Sequence, residues 1–211
     1  HTAGGPFAWV SLDEGDNDPI RFLHYLTAAI QAILPPGPVH LPGLLPHPHP
    51  DGFDPLLNLL IDEIAASALH FVLALDDFHV LQAPQVLGIV AYLLERIPAQ
   101  MHLTLLTRAD PPLPLARLRA RGQLVEVRAE DLSFTREEAA DFLQRVMGLR
   151  LSPEDIAALE ERTEGWIAGL QLAALAVQER GDMHAAVSSF TGSHFYIIDY
   201  LTEEALNRQP E

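Results

Sequence analysis

From Leu69 to Leu75 the chain is apolar apart from His70, and it then runs straight into Asp76 and Asp77. An apolar run this short, closed by a turn signal, predicts a strand covered on both faces. Its ending narrows the fold further. Two adjacent ionised carboxylates repel each other and are costly to desolvate. The strand must therefore stop where water or a cation can reach both acids. In a parallel sheet that place is the carboxyl end of the strand, where ligands bind.

The rest of the first two thirds agrees with such a sheet. Phe7 to Leu12 reads as a short strand that turns acidic in "DEGDND". Asp18-Pro19 is a helix start: a capping carboxylate, then a residue whose missing N–H costs nothing at the first position. Phe22, Leu26, Ala29, Ile30 and Ile33 follow at helical spacing, and Pro35, Pro36 and Pro38 end the helix near Leu34. Residues 35–52 are rich in proline, glycine and histidine and read as an inserted surface loop. Asp54-Pro55 repeats the start signal for a helix over Leu56–Ser67. Gln85–Ile97 is helical, Met101–Leu106 is a strand, Pro114–Arg121 is a short basic helix and Leu124–Val127 is a short strand. Strands alternating with helices imply a mainly parallel sheet with flanking helices.

After Glu130 the strands stop. Thr135 with Glu138 forms one capping box, and Ser152, Pro153 and Asp155 form a second start. "EGWIAGLQLAALAVQER" and "HFYIIDYLTEEAL" are helical by period. The division expected is an α/β core over 1–130 and a small all-helical unit over 131–211.

Composition removes several functions. The chain has 211 residues, no cysteine and a net charge of −16. Disulfides, thiolate metal sites and cysteine nucleophiles are excluded. All 13 basic residues are arginine, and an acidic chain lacks the basic surface that direct nucleic-acid binding requires. No apolar stretch reaches transmembrane length. The chain opens on His1 with no signal segment, and it reads as a piece of something longer.

Apolar residues followed by Asp-Asp form the Walker B pattern. The first acid, Asp76, would hold Mg²⁺, and the second, Asp77, would orient or deprotonate an attacking water. The plainer alternative is that one of them caps the next element. The neighbouring strand "LTLLTR" ends in Thr107-Arg108. An arginine there can reach a terminal phosphate, or it can pair with Asp76 or Asp77 with no ligand present. "HPHP" at 47–50 offers adventitious metal binding, with His40 near it, and His79 follows the double aspartate. Arg117, Arg119 and Arg121 make one face basic. No G-x-S-x-G, H-E-x-x-H or triad pattern is present.

"WVSLDEGDNDPIRFLHYLTAAI", "LALDDFHVL", "LLTRADPPLPLARLRARGQLVEVRAEDLSFTREEAADFL", "TEGWIAGLQLAALAVQ" and "YIIDYLTEEAL", in that order, resemble the MalT-like, LuxR-type transcriptional regulators of the STAND class of signalling ATPases. The resemblance implies an AAA+-like nucleotide-binding core with a helical lid. Beyond this chain it implies a winged helix, a superhelical sensor array and a C-terminal helix-turn-helix that carries the DNA contact. Members are cytoplasmic switches: ADP holds them closed, and inducer with ATP lets them self-associate and activate transcription.

Carried over by position, Asp76 and Asp77 match Walker B and Arg108 matches the sensor-1 arginine. Gly165 and Trp166 fall in the segment that holds a GxP motif near the adenine in related ATPases, with Ile167 where the proline is expected. The Walker A loop that should precede "WVSLDEGD" needs a lysine, and the chain has none. The expectation is that this chain alone hydrolyses ATP poorly. The P-loop strand should lie between the strands at 101–106 and 124–127; without it two bare edges invite pairing with another chain. A non-catalytic interaction module of the same family is the alternative reading. An unrelated Mg²⁺-dependent phosphoryl-transfer enzyme ranks last, because no phosphate-binding loop is visible.

Overall fold

A computed structural model of the chain describes residues 5–34, 52–178, His184 and Val187. It divides into two compact units, His1–Leu124 and Val125–Glu211.

The first unit is built on a parallel sheet of three strands: β1 (Phe7–Ser11), β2 (Phe71–Asp76) and β3 (Met101–Leu105), in the order β1-β2-β3. β1 leads through a 3₁₀ turn (Glu14–Asn17) into α1 (Pro19–Gln31). α2 (Asp54–Ala66) precedes β2. A second 3₁₀ turn (Phe78–Val80) and α3 (Pro84–Arg96) join β2 to β3, and α4 (Leu115–Ala120) follows.

The register fixes which residues share a face. Ala8 pairs with Leu73, Val10 with Leu75, Phe71 with Met101 and Leu73 with Leu103. These side chains form one core with Phe22, Leu23, Leu26 and Ile30 of α1, Leu57, Leu60 and Ile64 of α2, and Val86, Ile89 and Val90 of α3. Connections between neighbouring parallel strands take one hand, so helices that step β1 to β2 to β3 lie on one side. The other face is barely covered: Phe7 is 53% exposed and Trp9 48%, and His102 and Thr104 are exposed. Among the described residues the core packs on one side of β2, while on the other Val72 is half-buried and Ala74 is 1% exposed, so the cover its apolar run predicts is met on the second face only at the strand's centre.

Local signals account for most helix starts. Asp18 accepts hydrogen bonds from the N–H groups of Ile20 and Arg21, both at 2.9 Å, with Pro19 at the first position. At α2 the reading shifts by one residue. Phe53 is the cap, without a side-chain bond, and Asp54 sits in the first turn, where its charge complements the helix dipole. The expected strand at Leu124–Val127 does not form. Residues 123–128 carry no regular structure, and Val125 and Val127 are 89% and 62% exposed. An alternating pattern makes a strand only when another strand offers hydrogen bonds, and among the described residues none does so here.

The second unit is helical among the described residues. It contains α5 (Ala129–Leu132), α6 (Arg136–Asp141) running into a π-type turn (Phe142–Val146), α7 (Pro153–Thr163) and α8 (Ile167–Gln178). Its core gathers Ala139, Leu143, Ile156, Leu159, Leu170, Ala173 and Val177. Both capping boxes form: Thr135 Oγ1 accepts from Glu138 N–H at 3.3 Å, and Ser152 Oγ accepts from Asp155 N–H at 3.1 Å. The proline-rich segment at 35–51, with His40, His47 and His49, and "HFYIIDYLTEEAL" lie outside the described residues.

Asp155 is buried, and its carboxylate receives Ser152 Oγ–H at 2.9 Å and His184 Nδ1 at 2.7 Å. Burial works against its charge, but the bonds from His184 and Ser152 prevail and hold its pKa below the ordinary value. A carboxyl with a depressed folded-state pKa stabilises fully above its unfolded pKa, and that contribution is lost as pH falls through the folded value. In a Trp9→Phe background, where Trp166 reports on this unit, urea titrations are expected to show stability falling on acidification below about pH 4. Asp155→Asn should flatten that acid limb, and Ser152→Ala should cost about 1 kcal/mol at neutral pH.

Candidate functional site

Three strand ends converge at the carboxyl edge of the sheet. Leu12 N–H bonds Asp76 O at 3.1 Å, and Phe78 N–H bonds Leu106 O at 2.9 Å. These bonds bring the segments after β1, β2 and β3 side by side. Asp76 and Asp77 are half-buried. Asp76 Oδ1 accepts from Asp77 N–H at 2.9 Å. That bond holds the first carboxylate and leaves its other oxygen without a protein partner among the described residues.

Asp77 adopts a left-handed conformation, φ 54° and ψ 36°. For a residue with a Cβ this costs about 1 kcal/mol or more. The backbone accepts it in order to reverse sharply after β2, carrying Phe78 into the core at 1% exposure. The turn also brings His79 round beside the second acid: His79 Nδ1 lies 3.8 Å from Asp77 Oδ1. That distance is too long for a hydrogen bond. His79 Nδ1 is buried and has no hydrogen-bond partner among the described residues, and a buried polar atom left this way is destabilising unless a ligand or water supplies the missing bond.

Arg108 is exposed and makes no ion pair with Asp76 or Asp77 among the described residues. The arrangement in which the arginine simply neutralises the two acids is therefore not found. Thr107 Oγ1–H instead closes a local turn on Ala109 O at 2.8 Å. Of the basic helix, Arg117 is anchored to Glu95 at 2.8 Å.

Among the described residues no group of three or more His, Asp and Glu side chains converges as a metal cage. Two carboxylates alone suit Mg²⁺, which keeps several waters and takes its remaining ligands from phosphates. The donor set fits that ion and disfavours one, such as Zn²⁺, that needs a protein cage.

Gly165 and Trp166 belong to the second unit. Gly165, at φ +70°, follows Glu164 at φ 52° and ends α7. Its carbonyl accepts from Phe134 N–H at 2.9 Å, and a Cβ at Gly165 would stand 2.5 Å from Phe134 O. The helix stop and this close backbone approach account for glycine there on packing grounds. Leu170 is fully buried and Trp166 is 39% exposed.

Two features of the region escape sequence reading. Asn17 reaches across the fold: its Oδ1 accepts from Gln82 N–H at 2.7 Å and Ala83 N–H at 2.8 Å, while its Nδ2 donates to Val80 O at 2.9 Å. It thereby caps α3, whose own cap Ala83 has no side-chain acceptor, and ties the loop after the double aspartate to the turn after β1. The acidic turn itself is organised by Arg21, which grips Asp13 at 2.6 Å and Asp16 at 3.1 Å. Asp16 Oδ1 meets Arg21 Nε without hydrogen-bond alignment and otherwise has no partner. "DEGDND" is thus a capped turn, with Asp13 and Asp16 in reciprocal bonds.

Two substitutions test this geometry. Asn17→Ala should cost about 1–3 kcal/mol by stranding two backbone donors and should speed amide exchange at Gln82 and Ala83. Asp77→Gly should raise stability by about 1 kcal/mol by relieving the left-handed strain; a loss of stability would mean that the conformation is unstrained.

No protein-family model matches the chain. It is 33% identical over 201 residues to the HTH-type transcriptional regulator MalT of Cronobacter sakazakii, covering 94% of this chain and 22% of that protein. It is 32% identical over 203 residues to MalT of Klebsiella pneumoniae, again covering 94% and 22%. It is 31% identical over 209 residues to the serine/threonine-protein kinase PknK of Mycobacterium tuberculosis, covering 99% of this chain and 19% of the kinase. Among solved structures, a RuvB variant of Thermotoga maritima aligns at 13% identity and a TM-score of 0.36 over 94% of this chain and 62% of that one, too weak a likeness to assign a strand order.

Proposed function

Because this chain is a relative of the MalT-type transcriptional regulators over 94% of its length and spans about a fifth of theirs, we propose that it is part of the nucleotide-binding switch module of such a regulator. The observation that carries the reading is the pair of half-buried carboxylates at the carboxyl end of the central parallel strand, with an unpaired buried imidazole nitrogen beside them. Asp76 would hold Mg²⁺, whose bound form neutralises phosphate charge. Asp77, aimed by its left-handed turn, would orient water, and exposed Arg108 would read the terminal phosphate. Adjacent carboxylates with no protein cation paired to them among the described residues favour the arrival of a divalent ion. The site is therefore suited to respond to Mg-ATP more strongly than to free nucleotide.

ATP or ADP at this site would govern self-association and, through a helix-turn-helix elsewhere in the polypeptide, transcription. The division of labour follows the expected domains, an α/β core over 1–130 and a helical unit over 131–211. The charge of −16 supports assigning DNA contact to another domain. Among the described residues no helix is long and apolar enough to cross a membrane.

A second reading has its own support. A similar segment accompanies a protein kinase, PknK, so whatever it contributes is shared by two different named activities. An interaction module that couples either activity to a signal would satisfy that.

The deciding experiment uses the polypeptide from the complete gene. Calorimetric titration with ATP and ADP, with and without Mg²⁺, should show Mg²⁺-dependent ATP binding. Asp76→Asn should weaken it at least tenfold, and Arg108→Ala should bind ADP normally while losing the preference for ATP. The 211-residue chain alone should hydrolyse ATP at no more than a trace rate. Absence of Mg²⁺-dependent nucleotide binding by the whole polypeptide would favour the interaction module.

A further inference from the structure

A second feature lies on the opposite flank of the sheet from β3. Among the described residues β1 is an edge strand. Val72 N–H bonds Pro6 O, and Leu12 N–H bonds Asp76 O. With the pairing of Ala8 to Leu73 and Val10 to Leu75, these bonds set the phase. The backbone groups of Ala8 and Val10 face β2, and those of Phe7, Trp9 and Ser11 face outward with no backbone partner among the described residues. A row of free donors and acceptors of this kind is a template for an added strand.

The edge borders a cavity of about 370 Å³ between β1 and α1, with Trp9, Val10, Tyr25, Ala28 and Ala29 as its apolar lining and Ser11, Asp13, Asp16 and Arg21 as its polar lining. Trp9 and Tyr25 are each about half exposed, Phe7 lies 5.7 Å from Trp9, and the Arg21 guanidinium sits over the Tyr25 ring at 5.6 Å. Two alanines on α1 leave room between these walls for one apolar side chain. The end of the groove is acidic. Asp13 and Asp16 line the cavity and already hold its one arginine, and Glu14 stands between them in the same turn, so the excess charge of that turn is negative.

We propose that this groove takes an extended segment of a partner protein, added as a strand along β1, with an apolar side chain in the cavity and an arginine or lysine near it. Backbone bonds to Phe7, Trp9 and Ser11 supply affinity that does not depend on sequence. The cavity and the acidic rim select the apolar and basic residues. The proposal stands apart from the nucleotide reading, because none of its residues is Asp76, Asp77 or Arg108.

Ten-residue random peptides displayed on phage and panned against the full chain test it. The expected winners carry an apolar residue within three positions of a basic one. A synthetic copy should shift Trp9 fluorescence in a Trp166→Phe variant and slow amide exchange at Trp9 and Ser11. Ala28 is exposed, so Ala28→Trp should fill the cavity without changing the melting temperature and should weaken the peptide at least tenfold. Glu14→Lys should weaken it about threefold and reduce its salt dependence. Failure to enrich any peptide, or winners indifferent to Ala28→Trp and Glu14→Lys, overturns the proposal. A concentration-dependent dimer that protects the Trp9 and Ser11 amides and dissociates on Ala28→Trp assigns the groove to a second copy and overturns it as well.

Discussion

The first unit depends on the pairing of β2 with both neighbours. Its register carries Leu73 and Leu75 into the core and, one residue later, delivers two carboxylates to the rim. A slip of one residue would exchange the faces, expose the leucines and bury an acid. The buried apolar set therefore positions the chemistry: the more firmly Phe71, Leu73 and Leu75 are held, the less freedom Asp76 has. The left-handed step at Asp77 completes the arrangement, because it returns Phe78 to the core and leaves the second acid at the surface.

Order at this rim then spreads through polar contacts. Asn17 connects the first turn to the second by three hydrogen bonds, and Arg21 stiffens the first turn from within. Asp76, Asp77 and His79 thus lie beside a loop that Asn17 ties to the first turn. The second unit uses a different device. Ser152, Asp155 and His184 close the start of α7 through a buried carboxylate, and a glycine with its backbone pressed on Phe134 closes its end.

What the sequence disclosed and what it hid divide along the same line. Local codes were legible. Asp18-Pro19, Thr135 with Glu138 and Ser152 with Asp155 all cap the helices they announce, and the alternation of apolar runs with helical periods gives the parallel sheet. Misreadings arose where a local code needs a distant partner. Asp54-Pro55 has the form of a cap, yet Phe53 takes that role. Val125 and Val127 alternate like a strand but meet no neighbouring edge. The apolar run at β2 suggested cover on both faces, and among the described residues the second face is closed at Ala74 but open along its neighbours. Of the candidate site, Asp76, Asp77 and Arg108 were visible as motif positions at strand ends. Asn17, the orphaned nitrogen of His79 and the groove beside Trp9 were not, because each arises from contacts between residues far apart in the chain.

The register also sets an order of events. About 65 residues separate the paired positions Phe7 and Val72, whereas about 30 separate Phe71 and Met101. Closing the longer loop costs roughly 0.7 kcal/mol more chain entropy. β2, α3 and β3 make the cheaper nucleus, and β1 docks late, bringing Asn17 with it. The same arithmetic makes the spacing between β1 and β2 a weak constraint on their pairing, since doubling the enclosed length would add only about 0.6 kcal/mol of chain entropy.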